Sequence, residues 1–177
     1  YVGVVCYDPS PGKRPVESLR RDFEFNKNDN FRVHIDTYNN LTNGYAFGVS
    51  AAGAQSDGVI NNGSVSSFTW DTKWKSAVKS HTDRWVAEMA IPFRSLRYFG
   101  EEKEWGINFG RLDLKTNEKS AWAPVPRQFP HNSLPYAGTL VWDKPLDKAG
   151  LRLSVIPYLT SKVTKNTEAA GPAKWKW

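Results

Sequence analysis

Between Asn30 and Ala51 the chain alternates twice with period two, and nothing else in it constrains the fold as strongly. Phe31, Val33, Ile35 and Thr37 interleave with Arg32, His34, Asp36 and Tyr38, the pattern of a strand packed on one face and polar on the other. Asn39 to Gly44 is dense in turn formers, and Tyr45, Phe47, Val49 and Ala51 resume the alternation, so the segment reads as two adjacent antiparallel strands. A hairpin this polar on one face belongs to a β-sandwich or a barrel.

Most of the remaining chain reads as further short strands. Tyr1 to Tyr7 is nearly continuously apolar, as a buried strand would be, and Asp8-Pro9-Ser10-Pro11-Gly12 ends it. Residues 16–21 fit a helical turn or a strand edge, and 22–25 alternate. Ala51 to Thr69, rich in Gly, Ser and Asn, reads as a substantial loop with at most a short strand near Gly58 to Ile60. Trp74 to Val78 and Arg84 to Ile91 read as strands around a turn at His81-Thr82-Asp83, with Trp85, Ala87, Met89 and Ile91 on one face. Pro92 ends the second, because proline cannot donate to a ladder. Trp105 to Asp113 places Trp105, Ile107 and Phe109 together and Asn108 opposite. Ser120 to Trp122 and Gly138 to Trp142 offer short closing strands, separated by the irregular Ala123-Pro124-Val125-Pro126-Arg127. About seven short strands with no long helical pattern predict an all-β, antiparallel β-sandwich over residues 1–145. In 146–177 a linker leads to Leu151, Leu153 and Val155, alternating with Arg152 and Ser154 in a segment the length of one membrane-barrel strand, roughly 9 to 11 residues. From Val163 onward the composition reads as a flexible polar tail.

Composition removes several classes of function. The 177 residues suffice for one domain with a sizeable core, and 14% aromatic residues, eight of them Trp, fit a β-rich one. No apolar run reaches the length of a transmembrane helix, and the first residues do not form a signal peptide. The chain opens without Met and inside a strand pattern, which is expected of a piece of a longer protein. The formal charge of +6 is unevenly placed: residues 1–150 carry 19 Lys and Arg against 17 Asp and Glu, and residues 151–177 carry five against one. No basic stripe runs along a folded face, so nucleic acid is not an expected partner. Cys6 stands alone, without a disulfide partner or the spacing of a zinc site, and reads as a small core residue.

Trp85-Val-Ala-Glu-Met-Ala-Ile-Pro-Phe-Arg-Ser-Leu96, followed by Trp105-Gly-Ile-Asn-Phe-Gly-Arg111, resembles the signature of the family 9 carbohydrate-binding module superfamily. Asn30 to Asn40 and Trp122-Ala-Pro-Val-Pro-Arg127 are similar to the N-terminal module of large outer-membrane proteins of Bacteroidota, in which the sandwich is followed by a β-barrel. The resemblance implies a sandwich that begins upstream of Tyr1 and a barrel beginning at Leu151 to Thr160. It further implies a bacterial outer-membrane location, the chain's own C-terminal barrel as a partner, and a part in carbohydrate catabolism. Modules similar to this one hold a structural calcium, which points to Asp8, Asp29 and Asp36, with Asn28 beside them, as Ca2+ ligands. Plain Asx-turn roles are the alternative. The Asn26-x-Asn28-x-Asn30 spacing lacks the Gly and terminal Glu of an EF-hand loop.

Sugar binding needs flat apolar faces that stack on pyranose rings and planar polar groups that hydrogen-bond hydroxyls. Trp70, Trp74 and Trp122 flank loops and are the platform candidates, whereas Trp85 and Trp105 fall on apolar strand faces. Arg32, His34, Tyr38, Glu88 and Asn108 are the polar-face residues placed to line a sheet-face groove. The alternatives are core positions for the Trp and a solvated face for the others. A glycosidase needs two carboxyl groups about 5 to 10 Å apart, and Asp36 with Glu88 is the one nominable pair. There is no Gly-x-Ser-x-Gly motif and no metal-binding His pair among His34, His81 and His131. Related sandwiches bind haem through His and Met, but alternation puts His34 on a polar face and Met89 on an apolar one. The expectation is therefore a non-catalytic module binding an oligo- or polysaccharide. The rivals are a structural plug or protein-interaction domain of the barrel, and an accessory domain of a glycan-hydrolysing membrane protein.

Overall fold

Two antiparallel sheets close on the apolar sides of the alternating segments. The computed structural model describes residues 1–100 and 102–147, together with the backbone of Lys162–Thr164 and Lys174–Lys176. The strands are β1 (Val2–Tyr7), β2 (Asn30–Asp36), β3 (Gly44–Ser50), β4 (Gln55–Asn61), β5 (Val65–Ser67), β6 (Lys75–Ser80), β7 (Arg84–Ala90), β8 (Glu104–Asp113), β9 (Glu118–Ala121) and β10 (Gly138–Val141). The smaller sheet runs β1-β7-β6, and the larger runs β10-β8-β2-β3-β4-β5. β10 pairs with residues 104–107 of β8, and β9 pairs with residues 110–113 of the same strand. Among the described residues the only helical pieces are three 3-10 turns, at Phe25–Lys27, Phe93–Ser95 and Leu134–Tyr136.

The shared core follows the period-two reading. Phe31, Val33 and Ile35 of β2, Phe47 and Val49 of β3 and Trp105 of β8 face Cys6, Trp85, Ala87 and Met89 of the smaller sheet. Trp85 and Trp105 are buried, and Trp85 Nε1 donates to the Asp29 carboxylate at 3.0 Å. A buried indole N–H without an acceptor would cost about 1 to 3 kcal/mol, so this bond fixes the entry of β2 against β7. Burial pushes the Cys6 thiol up to about 12, which suits an inert core residue.

One region departs from expectation. The span expected to be a loop with one short strand folds as the β4–β5 hairpin, paired from Val59 with Ser67 to Asn61 with Val65. Its turn is Asn62-Gly63, with φ of 50° and 77°, closed by Ser64 N–H donating to Asn61 C=O at 3.2 Å. Two successive positive φ values are what a tight hairpin turn matched to strand twist requires, and Asn-Gly supplies them. At Gly58 a side chain would collide with the Ser67 carbonyl and the Phe68 ring. The polar composition that resembles a loop is therefore that of a tightly covered strand.

Beyond residue 147 the backbone of β11 (Lys162–Thr164) pairs antiparallel with β12 (Lys174–Lys176), where the composition leads one to expect a flexible tail. The barrel-strand expectation for Leu151 to Thr160 lies outside the described residues.

Candidate ligand cleft

The polar face of β2 is where an open groove is expected, and the structure covers it. Arg32, His34 and Asn108 are 4%, 1% and 1% exposed, because the 22–25 segment, Phe68 and the 122–137 segment lie across them. Arg32 lies over Gly48 of β3, where an added Cβ would sit 2.8 Å from its Cγ. Its guanidinium is surrounded by the rings of Phe23, Phe25 and Phe68 at 5.3, 5.3 and 5.0 Å, and Nη2 donates to the Phe23 carbonyl at 2.9 Å. Burial lowers this guanidinium to about 10, and none of the ion pairs among the described residues reaches it. Arg32 is thus the post on which the aromatic cover rests, through stem packing and cation–π attraction.

Asn108 ties down the second cover. Its amide donates to the Ala123 carbonyl at 3.2 Å, and its side-chain oxygen accepts the Ala123 N–H at 2.8 Å. The 122–130 segment is thereby stitched to β8 immediately before its prolines. Pairing across the ladder brings His34 opposite Asn108. The next outward-facing position on β8 is Gly110, whose missing side chain leaves room for the edge of the His131 ring, 3.0 Å from where a Cβ would lie. His131 stacks on Phe25 at 3.8 Å and stands 5.2 Å from His34.

A cleft of about 870 Å³ opens between β9 and the 124–130 segment. Phe25 and His131 form its base, Lys119 and Ala121 one wall, Arg127 and Phe129 the other. The ladder fixes the β9 wall: Lys119 pairs with Leu112 and Ala121 with Gly110, so both share the outer face of the large sheet with Arg32 and His34. Phe129 is exposed and leans on Tyr136 at 4.9 Å. Both imidazoles are neutral at pH 7. Burial drives His34 well below its ordinary value, helped by His131 and Arg32, and burial with the charges of Arg32 and Lys119 lowers His131 to about 4. Neither nitrogen of His34 has a hydrogen-bond partner among the described residues, nor has Nε2 of His131.

The side chains singled out by the sequence are not gathered in one groove. Arg32, His34 and Asn108 come together, but beneath the covers, as support for the cleft's base. Trp74 is core, edge-on to Phe47, and Trp70 is half-buried against Tyr45. Tyr38 is half-buried, edge-on to Phe99 at 4.9 Å. Glu88 is exposed on the outer face of the smaller sheet. Trp122, 60% exposed, packs edge-on to Phe109 and covers Gly138, on the core side of the large sheet and outside the lining of the cleft.

The calcium set does not converge. Asp8 is ion-paired with Arg14 at 2.8 Å and Lys115 at 2.9 Å; burial opposes its charge, yet these cations hold its carboxyl below the usual range. Burial pushes Asp29 up, and Asp36 caps a turn by accepting the N–H groups of Tyr38 and Leu41 at 3.1 and 2.6 Å. Asp29 and Asp36 bracket β2, about 23 Å apart at strand rise. No group of three or more potential ligands among His, Cys, Asp and Glu occurs among the described residues. Asp36 and Glu88 belong to opposite outer faces of sheets that pack about 10 Å apart, too far for a glycosidase pair. His34 and Met89 lie on opposite sides of the large sheet, so they do not flank one haem.

Sequence reasoning missed Phe25, Lys119, Arg127, Phe129 and His131 as lining groups. A usable signal was present: residues 122–137 form a long connection with prolines at 124, 126, 130 and 135 and aromatic residues between them. Long, stiffened connections with embedded aromatics are where binding sites concentrate.

No family model matches the chain, and none of the curated proteins matches it. Among solved structures it is similar to a candidate carbohydrate-binding protein from Bacteroides uniformis ATCC 8492, with a TM-score of 0.58 and 12% identity over 78% of this chain and 68% of that one. At this identity the likeness shows the fold alone, all-β and sandwich-like.

Proposed function

We propose that this chain is a non-catalytic saccharide-binding module whose ligand sits in the cleft between β9 and the 124–130 segment. The observation that carries the reading is the cleft itself: about 870 Å³, enough for a short oligosaccharide, with Lys119, Arg127 and Ser120 as polar groups among its lining and an exposed ring, Phe129, at its rim. Sugars need this combination of a flat apolar surface and nearby donors and acceptors. The similarity in fold to a candidate carbohydrate-binding protein supports the same reading. Kinship with family 9 modules, attachment to an outer-membrane barrel and a place in the bacterial outer membrane are part of the proposal and rest on the sequence resemblance.

Intrinsic fluorescence of the full chain, titrated with a panel of neutral and acidic oligosaccharides, tests it. Saturable binding to one class is expected, with loss on Phe129→Ala while the circular dichroism spectrum is retained. A folded chain that ignores the whole panel overturns the reading.

A further inference from the structure

The charged side chains that face into the cleft are one-sided. Lys119 projects from the cleft face of β9 and Arg127 stands on the facing wall, and neither has a carboxylate within ion-pair distance among the described residues. Glu118 also borders the cleft, but it pairs with Asp113 across the ladder, so its side chain takes the face opposite to that of Lys119. Below the base, Arg32 adds a buried positive charge with no ion-pair partner among the described residues. His131 feels the same field, since its two charged influences are Arg32 and Lys119, and as a neutral ring it offsets neither. A concave, partly enclosed site with cations on two walls and a third beneath concentrates anions, because field lines focus between low-dielectric walls.

Resting on the saccharide reading above, we infer that the cleft selects an acidic glycan, with a sugar carboxylate or sulfate held between Lys119 and Arg127 and the pyranose ring against Phe129. Arg127 offers planar donors that match a carboxylate or sulfate edge, and Lys119 acts as a point charge from the other side. The rim aromatic supplies the apolar contact that every pyranose needs whatever its charge, so acidity adds selectivity to a general sugar site.

The full chain is titrated calorimetrically with oligogalacturonate, with the same oligomer methyl-esterified, with a sulfated oligosaccharide and with neutral xylo-oligosaccharides, at low and high salt. At least one anionic oligomer binds about tenfold tighter than the neutral sugars, and the advantage shrinks as salt rises. Which anionic oligomer binds distinguishes carboxylate from sulfate recognition. Lys119→Gln with Arg127→Gln erases the advantage in a chain of unchanged circular dichroism, whereas Glu88→Gln, on the outer face of the smaller sheet, leaves it intact. Equal affinity for charged and neutral sugars, or an advantage that survives the double substitution, overturns the acidic selectivity and leaves the saccharide site standing. Failure of every sugar to bind the folded chain overturns the saccharide reading itself.

Discussion

The two outer faces of this sandwich start from the same sequence pattern and end differently. On β7, Arg84, Val86 and Glu88 alternate with core residues, and Glu88 is left in solvent between Gly3 and Ala77. On β2, Arg32 and His34 alternate with core residues just as regularly, yet both are buried under 22–25, Phe68 and 122–137. Strand alternation decides which side chains leave the core; it does not decide whether they reach water. That depends on where long connections run, and among the described residues 22–25, Phe68 and 122–137 cross the outer face of the large sheet. The cover converts a polar strand face into a layer of satisfied or caged groups, and its incomplete edge beside β9 becomes the cleft.

The contrast can be broken most forcefully at Arg32. Arg32→Ala is expected to cost about 4 kcal/mol, from lost stem burial, a cavity and three ring contacts, whereas Arg32→Met keeps the packing and costs about 1. Denaturant unfolding measures both, and equal small losses would mean the cover does not rest on this residue.

Acid should act through the covered face next. The folded-state value of His131 is depressed to about 4 from an ordinary 6.5, so the unfolded chain binds the proton first as pH falls. Stability is complete above about pH 6.5 and is lost progressively down to about pH 4, by up to about 3 kcal/mol. His34 shifts in the same direction. Other groups titrate in this window, so the test is the difference between the chain and His131→Gln: the variant should show a flatter stability profile between pH 7 and 4. Parallel profiles would contradict the burial of this ring.

Glycines sharpen the comparison. Gly48→Ala sets a Cβ against the Arg32 stem and should cost about 2 kcal/mol, while Gly3→Ala on the bare face meets nothing within 4 Å and should change stability by less than about 0.5. Thermal midpoints of the two variants decide it, and similar shifts would erase the distinction between the faces. Asn108→Ala removes two hydrogen bonds to Ala123 and should cost about 1.5 kcal/mol, with faster amide exchange confined to residues 122–130. Exchange that rises evenly over the domain would count against a local stitch.

Much of the fold was legible because period-two alternation reports directly on packing. Trp85, Trp105 and Phe47 fall in the core as that pattern demands, and Pro92 follows the end of β7. The β4–β5 hairpin escaped because its composition reflects tight covering rather than hydrophobic burial: Gly58 is needed for clearance, and Asp57 is buried by pairing with Arg21 and by accepting Thr72 N–H at 2.7 Å. The Asn62-Gly63 pair was the overlooked clue. The cleft was less legible still. Its lining comes from the 3-10 turn at Phe25, from β9 and from the 124–131 segment, and no local pattern announces that Gly110 leaves a seat for the ring of His131. Trp70 and Trp74 misled because loop-flanking aromatics and core aromatics look alike until tertiary packing separates them.

Amide exchange of the full chain with and without saturating oligogalacturonate puts the central claim to the most direct test. The account predicts added protection at residues 117–131, around β9 and the facing wall, and none over residues 75–90 of the bare sheet. Protection that appears on the smaller sheet, or nowhere in a chain that demonstrably binds the sugar, would contradict it.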